Sequence, residues 1–215
     1  MTTPPSPLWL YRLVPLGQLA PLLRRGGLHA PAHQPEDGLT LPSFDPAVAR
    51  PAGRRQFAVP GARGGSSDDY LGFDFGPAPP ALATFIQDAP PDGADSPILI
   101  YLLTTLQVLT DKRIEFVFSD GDPAVGYTDW YDDPARLDRI DWDAVKTPPW
   151  ESPADDDQRR RKQARLLVWQ SLPWALIRGI AVPDGDIGYQ VESLLARYPR
   201  RAQPKVVVRP GWYRP

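Results

Sequence analysis

The sequence predicts an α+β fold, because strand-like and helix-like segments interleave along it without a regular βαβ rhythm. Its 215 residues suit one domain, and a content of 42% hydrophobic and 23% charged residues supports a packed core. The 28 prolines, many of them between the periodic segments, predict a loop-rich fold with short elements. We therefore expect a single domain over residues 1–215, built from sheets flanked by short helices.

Each element follows from a local pattern. Alternating or continuous apolar runs predict strands, and apolar residues at helical spacing next to capping residues predict helices. The predicted strands cover 8–14, 69–75, 96–104, 113–122, 165–169, 175–182 and 205–209. The predicted helices cover 17–27, 79–86, 133–145, 155–164 and 186–198. Residues 29–67 show no sustained periodicity and predict a long loop rich in proline, arginine and glycine.

Composition excludes several classes of function. The chain has no cysteine and two histidines, so we expect neither disulfides nor a cysteine or histidine metal site. No apolar run approaches the roughly 20 residues of a membrane helix, and the N-terminus does not resemble a signal peptide, which predicts a soluble cytoplasmic protein. The motifs GxGxxG, GxxxxGKS/T, HExxH and GxSxG are all absent.

The net charge of −2 does not indicate a nucleic-acid binder by itself. The basic residues are clustered, however, and could form a local basic face. The clusters are Arg24 and Arg25, the arginines at 50, 54, 55 and 63, the run 159–162, and Arg200 and Arg201.

One arginine stands in an unexpected place. Arg165 lies inside the apolar stretch that runs from Ala164 to Trp169. A guanidinium stays charged in proteins and is costly to bury without a partner. The sequence therefore predicts either a counter-ion for Arg165 or a position that points to solvent from a sheet edge.

Several blocks, in order, resemble the DarT family of bacterial toxins that ADP-ribosylate single-stranded DNA with NAD. The start LYRLVPLGQLAPLLRRGGL is similar to the family's opening strand and helix, and DYLGFDFGPAPPAL is similar to its "dYVPFYF-PRSPM" stretch. The block FVFSDGDPAVGYTDWYDDPARLDRIDWDAV resembles "vFTDGHAA…T.F(Y)…LD.iDW", and RRRKQARLLVWQSLPWALIRGIAV resembles "R.KQAEFLV….PW..i..I.V". The ending VVVRPGWYR fits as well. The resemblance implies an ADP-ribosyltransferase-like fold with mixed or antiparallel sheets.

The resemblance also implies a chemistry and a site. It implies NAD as cofactor, no metal, single-stranded DNA or another nucleic acid as partner, and a macrodomain antitoxin. The positions expected to be catalytic are Arg165 (the family's glutamate), Asp122 (the family's histidine), and Arg54 or Arg55 (the family's arginine). Tyr11, Val14, Pro15 and Gln18 occupy the positions expected to bind NAD, with Val14 and Pro15 replacing a Thr-His pair. Ala78, Arg159, Arg160 and Lys162 occupy positions expected to contact nucleic acid, Ala78 in place of an arginine.

The replacement of the glutamate by Arg165 reverses the charge at the reaction centre. Arginine cannot act as a general base, and it opposes the positive charge that develops as the nicotinamide bond breaks. Asp122 replaces a histidine, so that this second substitution adds a negative charge where Arg165 adds a positive one. We therefore expect Asp122 to be the counter-ion of Arg165. Glu115 or Glu151 is a less favoured substitute acid.

Three interpretations stay open. The first is a catalytically impaired DarT homologue that still binds nucleic acid or a nucleotide. The second is an active NAD-dependent transferase with a rebuilt site. The third is a protein-interaction module of a toxin–antitoxin or defence system.

Overall fold

The computed structural model describes residues 3–39, 41, 56–61, 63–77, 79, 82, 85, 97–147 and 155–213. Ten strands lie within these ranges: β1 (Trp9–Pro15), β2 (Gly27–His29), β3 (Tyr70–Asp74), β4 (Leu99–Thr105), β5 (Phe116–Ser119), β6 (Trp130–Tyr131), β7 (Arg165–Trp169), β8 (Ser171–Pro173), β9 (Gly179–Val182) and β10 (Lys205–Val208). The α-helices with fully described bounds are α1 (Leu19–Arg25), α2 (Leu106–Asp111), α3 (Trp142–Lys146), α4 (Asp156–Lys162) and α5 (Gly185–Ala196).

Eight of these strands form one sheet in the order β10-β9-β4-β1-β3-β7-β5-β6, and β2 pairs with β8 in a second, two-stranded sheet. The pair β9–β10 is parallel, and the other described pairs are antiparallel. The predicted α+β class with mixed sheets and short helices is therefore confirmed.

The main core lies on one face of the large sheet, where α1, α2 and α5 contribute leucines and valines. The other face carries two smaller clusters. One surrounds Tyr101 on β4, and the other surrounds Leu167 on β7. Strand β4 is buried at every position, which explains its continuous apolar sequence: both of its faces are covered.

The large sheet opens between β1 and β3. Strand β1 pairs with β4 at seven positions, from Trp9 to Pro15, but the pairing of β1 with β3 consists of Tyr11 opposite Asp74. Beyond this position no further pairing joins the described residues of the two strands. The candidate site lies at this opening.

The predicted and observed elements differ at a few places. The predicted helix 133–145 divides into a 3-10 helix (Pro134–Arg139) and α3, because Ile140 is extended and Asp141 caps the second helix. The predicted strand 175–182 starts with a 3-10 turn (Trp174–Leu176), so that β9 is shorter. The short strands β2, β6 and β8 were not predicted, since two or three residues carry no periodicity.

The predicted loop at 29–67 is described at its two flanks. It contains a 3-10 turn at Pro31–His33 and a bridge between Ala58 and Ser66, and it meets a second 3-10 turn at Ser67–Asp69. The middle of this segment and most of the helix predicted at 79–86 lie outside the described residues. Within the described part of the chain, no helix is long and apolar enough to cross a membrane.

Candidate active site

A row of directly opposed residues crosses the sheet at the opening. Tyr11 on β1 lies opposite Asp74 on β3, and Asp74 lies opposite Arg165 on β7. Directly opposed residues of antiparallel strands point to the same face of a sheet. Tyr11, Asp74 and Arg165, here called the polar row, therefore share one face, between the two small apolar clusters.

Asp74 is the counter-ion of Arg165. The Arg165 Nε lies 3.0 Å from the Asp74 Oδ1, and the two side chains are only 11% and 15% exposed. The expectation that Asp122 balances Arg165 is wrong, since the Asp122 carboxylate accepts a hydrogen bond from the backbone N–H of Ala124 at 2.9 Å and so caps its own turn. Arg165 is thus neither unpartnered nor directed into solvent.

Gly72 provides the space for this guanidinium. A Cβ at Gly72 would lie 2.8 Å from the Arg165 Nη2, so that any larger residue there would displace the arginine. The carbonyl of Gly72 also accepts a hydrogen bond from the Arg12 Nη1 at 2.7 Å. Gly72 therefore contacts two guanidinium groups, that of Arg12 through its carbonyl and that of Arg165 through its Cα side.

The Ser119 hydroxyl connects Arg165 to the turn after β5. Its Oγ accepts from the backbone N–H of Arg165 at 3.2 Å and donates to the carbonyl of Gly121 at 2.7 Å. The backbone N–H of Asp122 donates to the carbonyl of Arg160 at 2.9 Å. The backbone of the predicted site residue Asp122 is therefore connected by hydrogen bonds to the segment that holds Arg165. The carboxylate of Asp122, by contrast, caps the turn that follows it.

The four positions expected to bind NAD follow one another from the polar row to α1. Tyr11 packs edge-on against Trp212 with ring centroids 5.4 Å apart, and burial raises the pKa of its phenol. The Val14 side chain is 2% exposed in the main core. Pro15 ends β1, and Gln18 is the residue before α1. The structure thus brings Tyr11 into the polar row and leaves Val14 as a core residue.

Two of the basic side chains of α4 bind other residues of the chain. Arg160 is 11% exposed, lies 2.9 Å from Asp120 and 3.0 Å from Asp157, and stacks on the ring of Tyr127. The Lys162 Nζ donates to the carbonyl of Thr147.

Arg159 differs from these two residues. Its side chain is 62% exposed, and its nearest described carboxylate is that of Asp156 at 3.4 Å. Arg54, Arg55 and Ala78 lie outside the described residues, so that their predicted roles stay predictions.

Sequence reasoning missed Asp74, Gly72 and Arg12. A signal for Asp74 was present, because it is a lone charge at the end of an otherwise apolar strand, as Arg165 is at the start of another. The pairing of the two strands was not visible in the sequence, and without it the two charges could not be matched.

Solved structures place this architecture in a known class. The chain is similar to Thermus sp. 2.9 DarT in complex with NAD+, with a TM-score of 0.82, 28% identity and coverage of 99% of this chain and 100% of that one. It is equally similar to Thermus sp. 2.9 DarT in complex with ADP-ribosylated ssDNA, with a TM-score of 0.83 and coverage of 99% of both chains. The opened sheet and the polar row are thus built on the ADP-ribosyltransferase fold of these proteins.

Sequence comparison gives the family within that class. The model for ssDNA thymidine ADP-ribosyltransferase, DarT, matches residues 11–214. The DNA ADP-ribosyl transferase of Thermus aquaticus is 34% identical over 210 residues, 97% of this chain and 90% of the relative. That of a Thermus species is 32% identical over 213 residues, 98% of each. The chain belongs to the DarT family.

Proposed function

We propose that this protein binds an adenine nucleotide and single-stranded DNA with a DarT fold, but transfers ADP-ribose from NAD far more slowly than relatives with a glutamate at the position of Arg165. Structures of its relative Thermus sp. 2.9 DarT, in complex with NAD+ and with ADP-ribosylated ssDNA, support the two ligands. The ion pair between Arg165 and Asp74 supports the loss of transfer.

The ion pair acts on the reaction in two ways. The guanidinium of Arg165 can neither accept a proton nor stabilise positive charge on a sugar. The carboxylate of Asp74 is held by Arg165, so that it is not oriented to take a proton from an incoming base. Loss of a general acid or base alone lowers a rate by about 10²–10⁴-fold.

Glu115, one of the two substitute acids that the sequence offers, does not replace the missing base. The Glu115 carboxylate is held by Arg63 through two hydrogen bonds of 2.5 and 2.6 Å on an exposed surface. This arrangement lowers the pKa of Glu115, so that the group is a poor proton acceptor. Glu151 lies outside the described residues.

The charges at the opening suit one part of NAD better than the other. Guanidinium groups such as those of Arg12 and Arg165 fit the diphosphate of NAD and do not favour its cationic nicotinamide ring. When bound, NAD supplies the ADP-ribosyl group, whose bond to nicotinamide is broken during transfer. We therefore expect ADP-ribose to bind more tightly than NAD+.

The test measures transfer of label from NAD to a pool of single-stranded oligonucleotides. The variants are Arg165→Glu, Arg165→Glu with Asp74→Asn, and Arg165→Gln as a control that removes the charge without adding a base. The double variant is needed because Arg165→Glu alone would set two carboxylates directly opposite each other. Calorimetry with NAD+, ADP-ribose and a single-stranded oligonucleotide on the same four proteins measures binding separately.

We expect no transfer by the native chain and by Arg165→Gln, and transfer by the double variant. Rapid transfer by the native chain would overturn the proposal. Loss of that transfer in Asp74→Asn would then identify Asp74 as the acid of a rebuilt site, the second candidate that the structure favours. Absence of both nucleotide and oligonucleotide binding would leave the interaction module as the better account.

The domain organisation, the location and the partner of the protein are part of the same proposal. We infer that residues 1–215 form one domain, because the strands of one sheet come from both ends of the described chain. A cytoplasmic location and a macrodomain partner are proposed from the resemblance to the family, and the partner would favour the second candidate, an active transferase. Co-purification of the tagged chain with a macrodomain protein expressed beside it tests the partner.

A further inference from the structure

An exposed tyrosine lies on the turn that joins β5 to β6 (120–129, here called the β5–β6 turn). Tyr127 is 70% exposed, and it is the one exposed large apolar residue of this turn. It belongs neither to the polar row nor to the apolar clusters of the sheet. Its ring can therefore contact a ligand without any rearrangement of the core.

Arg160 on α4 supports the ring from one side. Its guanidinium lies 5.4 Å from the centroid of the Tyr127 ring, within the range of a cation–π contact. Arg160 is itself held by Asp120 at 2.9 Å and Asp157 at 3.0 Å. Gly121 leaves room for this packing, since a Cβ there would collide with the guanidinium. One face of the ring thus rests on a fixed cation, and the other face is open to solvent.

Hydrogen bonds across the turn hold the backbone that carries Tyr127. The Thr128 hydroxyl donates to the carbonyl of Asp122 at 2.7 Å. The backbone N–H of Asp120 donates to the carbonyl of Asp129 at 3.0 Å, and that of Asp129 donates to the Asp120 carboxylate at 3.0 Å. The ring is therefore preorganised, so that contact with a ligand costs little ordering entropy.

The β5–β6 turn begins at the end of the sheet where the polar row lies. Phe118, near the end of β5, is opposite Leu166, the second residue of β7. The Ser119 hydroxyl, at the last residue of β5, accepts from the backbone N–H of Arg165 at 3.2 Å. Tyr127 is thus presented beside the candidate active site by a separate element.

A single ring of this kind fits one unpaired base. Aromatic side chains stack on the bases of single strands, and every base has the flat face that stacking needs. A protein partner would need a wider apolar area than one ring on a polar turn. Arg159, which precedes Arg160 in α4 and is 62% exposed, is available to a phosphate of the same strand.

We propose that Tyr127 stacks on a base of single-stranded DNA that neighbours the nucleotide at the polar row. This inference rests on the proposed binding of single-stranded DNA, and it adds the residue that contacts a flanking base. It does not depend on whether ADP-ribose is transferred.

The test compares a labelled single-stranded oligonucleotide with the same strand in which every base is replaced by an abasic unit. Fluorescence anisotropy at low salt measures both affinities, because phosphate contacts keep both strands bound there. The variants are Tyr127→Leu, which removes the aromatic ring, and Tyr127→Phe, which keeps it. Tyr189→Leu is the matched control, since Tyr189 is 74% exposed on α5. Urea denaturation of each variant shows whether the fold is retained.

We expect Tyr127→Leu to weaken binding of the base-bearing strand on the order of tenfold and to leave binding of the abasic strand unchanged. The slope of log affinity against log salt should also stay the same, because no phosphate contact is removed. Tyr127→Phe and Tyr189→Leu should bind both strands as the native chain does.

Two outcomes would overturn this inference and leave the proposed DNA binding intact. One is equal binding of the base-bearing strand by Tyr127→Leu and the native chain, which would leave the ring to a protein partner. The other is an equal loss for both strands, which would give Tyr127 a structural role only. Failure of the native chain to bind either strand would instead contradict the proposed function, and this inference with it.

Discussion

Arg165 on β7 and Asp74 on β3 stand directly opposite each other, with 3.0 Å between Nε and Oδ1, and both side chains are largely buried. Arg165, which by resemblance stands at the position of the family's glutamate, therefore has a counter-ion from the neighbouring strand. The charge of Arg165 is compensated within the fold, which explains how an apolar strand can start with an arginine.

Removal of Arg165 should destabilise the fold. Arg165→Ala removes the cation that faces the mostly buried Asp74 carboxylate, and we expect the free energy of unfolding to fall by about 2–4 kcal/mol. Arg159→Ala, at a side chain that is 62% exposed, should lower it by less than about 0.5 kcal/mol. Urea denaturation of the two variants measures the difference, and equal losses would show that the ion pair does not contribute to stability.

Gly72 should tolerate no side chain without disturbing Arg165. Gly72→Ala places a methyl group 2.8 Å from the Arg165 Nη2, and displacement of the guanidinium should cost about 1–2 kcal/mol in the free energy of unfolding. Gly17→Ala is the control, because a Cβ at Gly17 meets no atom within 4 Å. Thermal denaturation compares them; a Gly72→Ala protein as stable as the Gly17→Ala protein would contradict the proposed tight fit.

The basic run of α4 should contain both a DNA contact, Arg159, and a structural residue, Arg160. Arg159→Ala should weaken binding to single-stranded oligonucleotides and lower the slope of log affinity against log salt by about 0.7, the value for one phosphate contact. Arg160→Ala should instead destabilise the protein, since Arg160 holds Asp120 and Tyr127. Fluorescence anisotropy at several salt concentrations, together with urea denaturation, separates the two effects. An unchanged salt slope in Arg159→Ala would remove this residue from the DNA interface.

Tyr213 should make the protein sensitive to alkali. Burial raises the pKa of its phenol above the ordinary value of 10.0, and its hydroxyl donates to the carbonyl of Ala181. Because the folded state holds this proton more tightly than the unfolded state, the resulting stability is fully present below pH 10 and is lost as the pH rises further.

The comparison of Tyr213→Phe with the native chain tests this dependence. The variant should be less stable at pH 7 by about 1 kcal/mol, because a buried hydrogen bond is lost. Its stability should also fall less steeply above pH 10. Tyr189→Phe, at a residue that is 74% exposed, should follow the native curve in urea denaturation from pH 7 to 11. Parallel curves for Tyr213→Phe and the native chain above pH 10 would refute the role of Tyr213.

Much of the fold followed from local patterns. The continuous apolar run at 96–104 and the alternation at 8–14 predicted β4 and β1, because burial of one or both faces of a strand constrains every position or every second one. The predicted helix at 17–27 contains α1, which ends at Gly26 with a φ of 80°, a left-handed conformation that glycine adopts readily. Ile140 shows the limit of this approach, since its extended backbone divides a segment that has helical spacing throughout.

The sequence by itself determined the α+β class, most strands and helices, and the family to which the blocks around Arg165 are similar. Only the tertiary structure decided which acid balances Arg165, which glycine makes room for it, and which members of the basic run are occupied. The physical reason is that local patterns record whether a side chain is buried, whereas a counter-ion depends on strand order and register. Arg165 and Asp74 are 91 positions apart in the chain, and the pairing of β7 with β3 brings them within 3.0 Å.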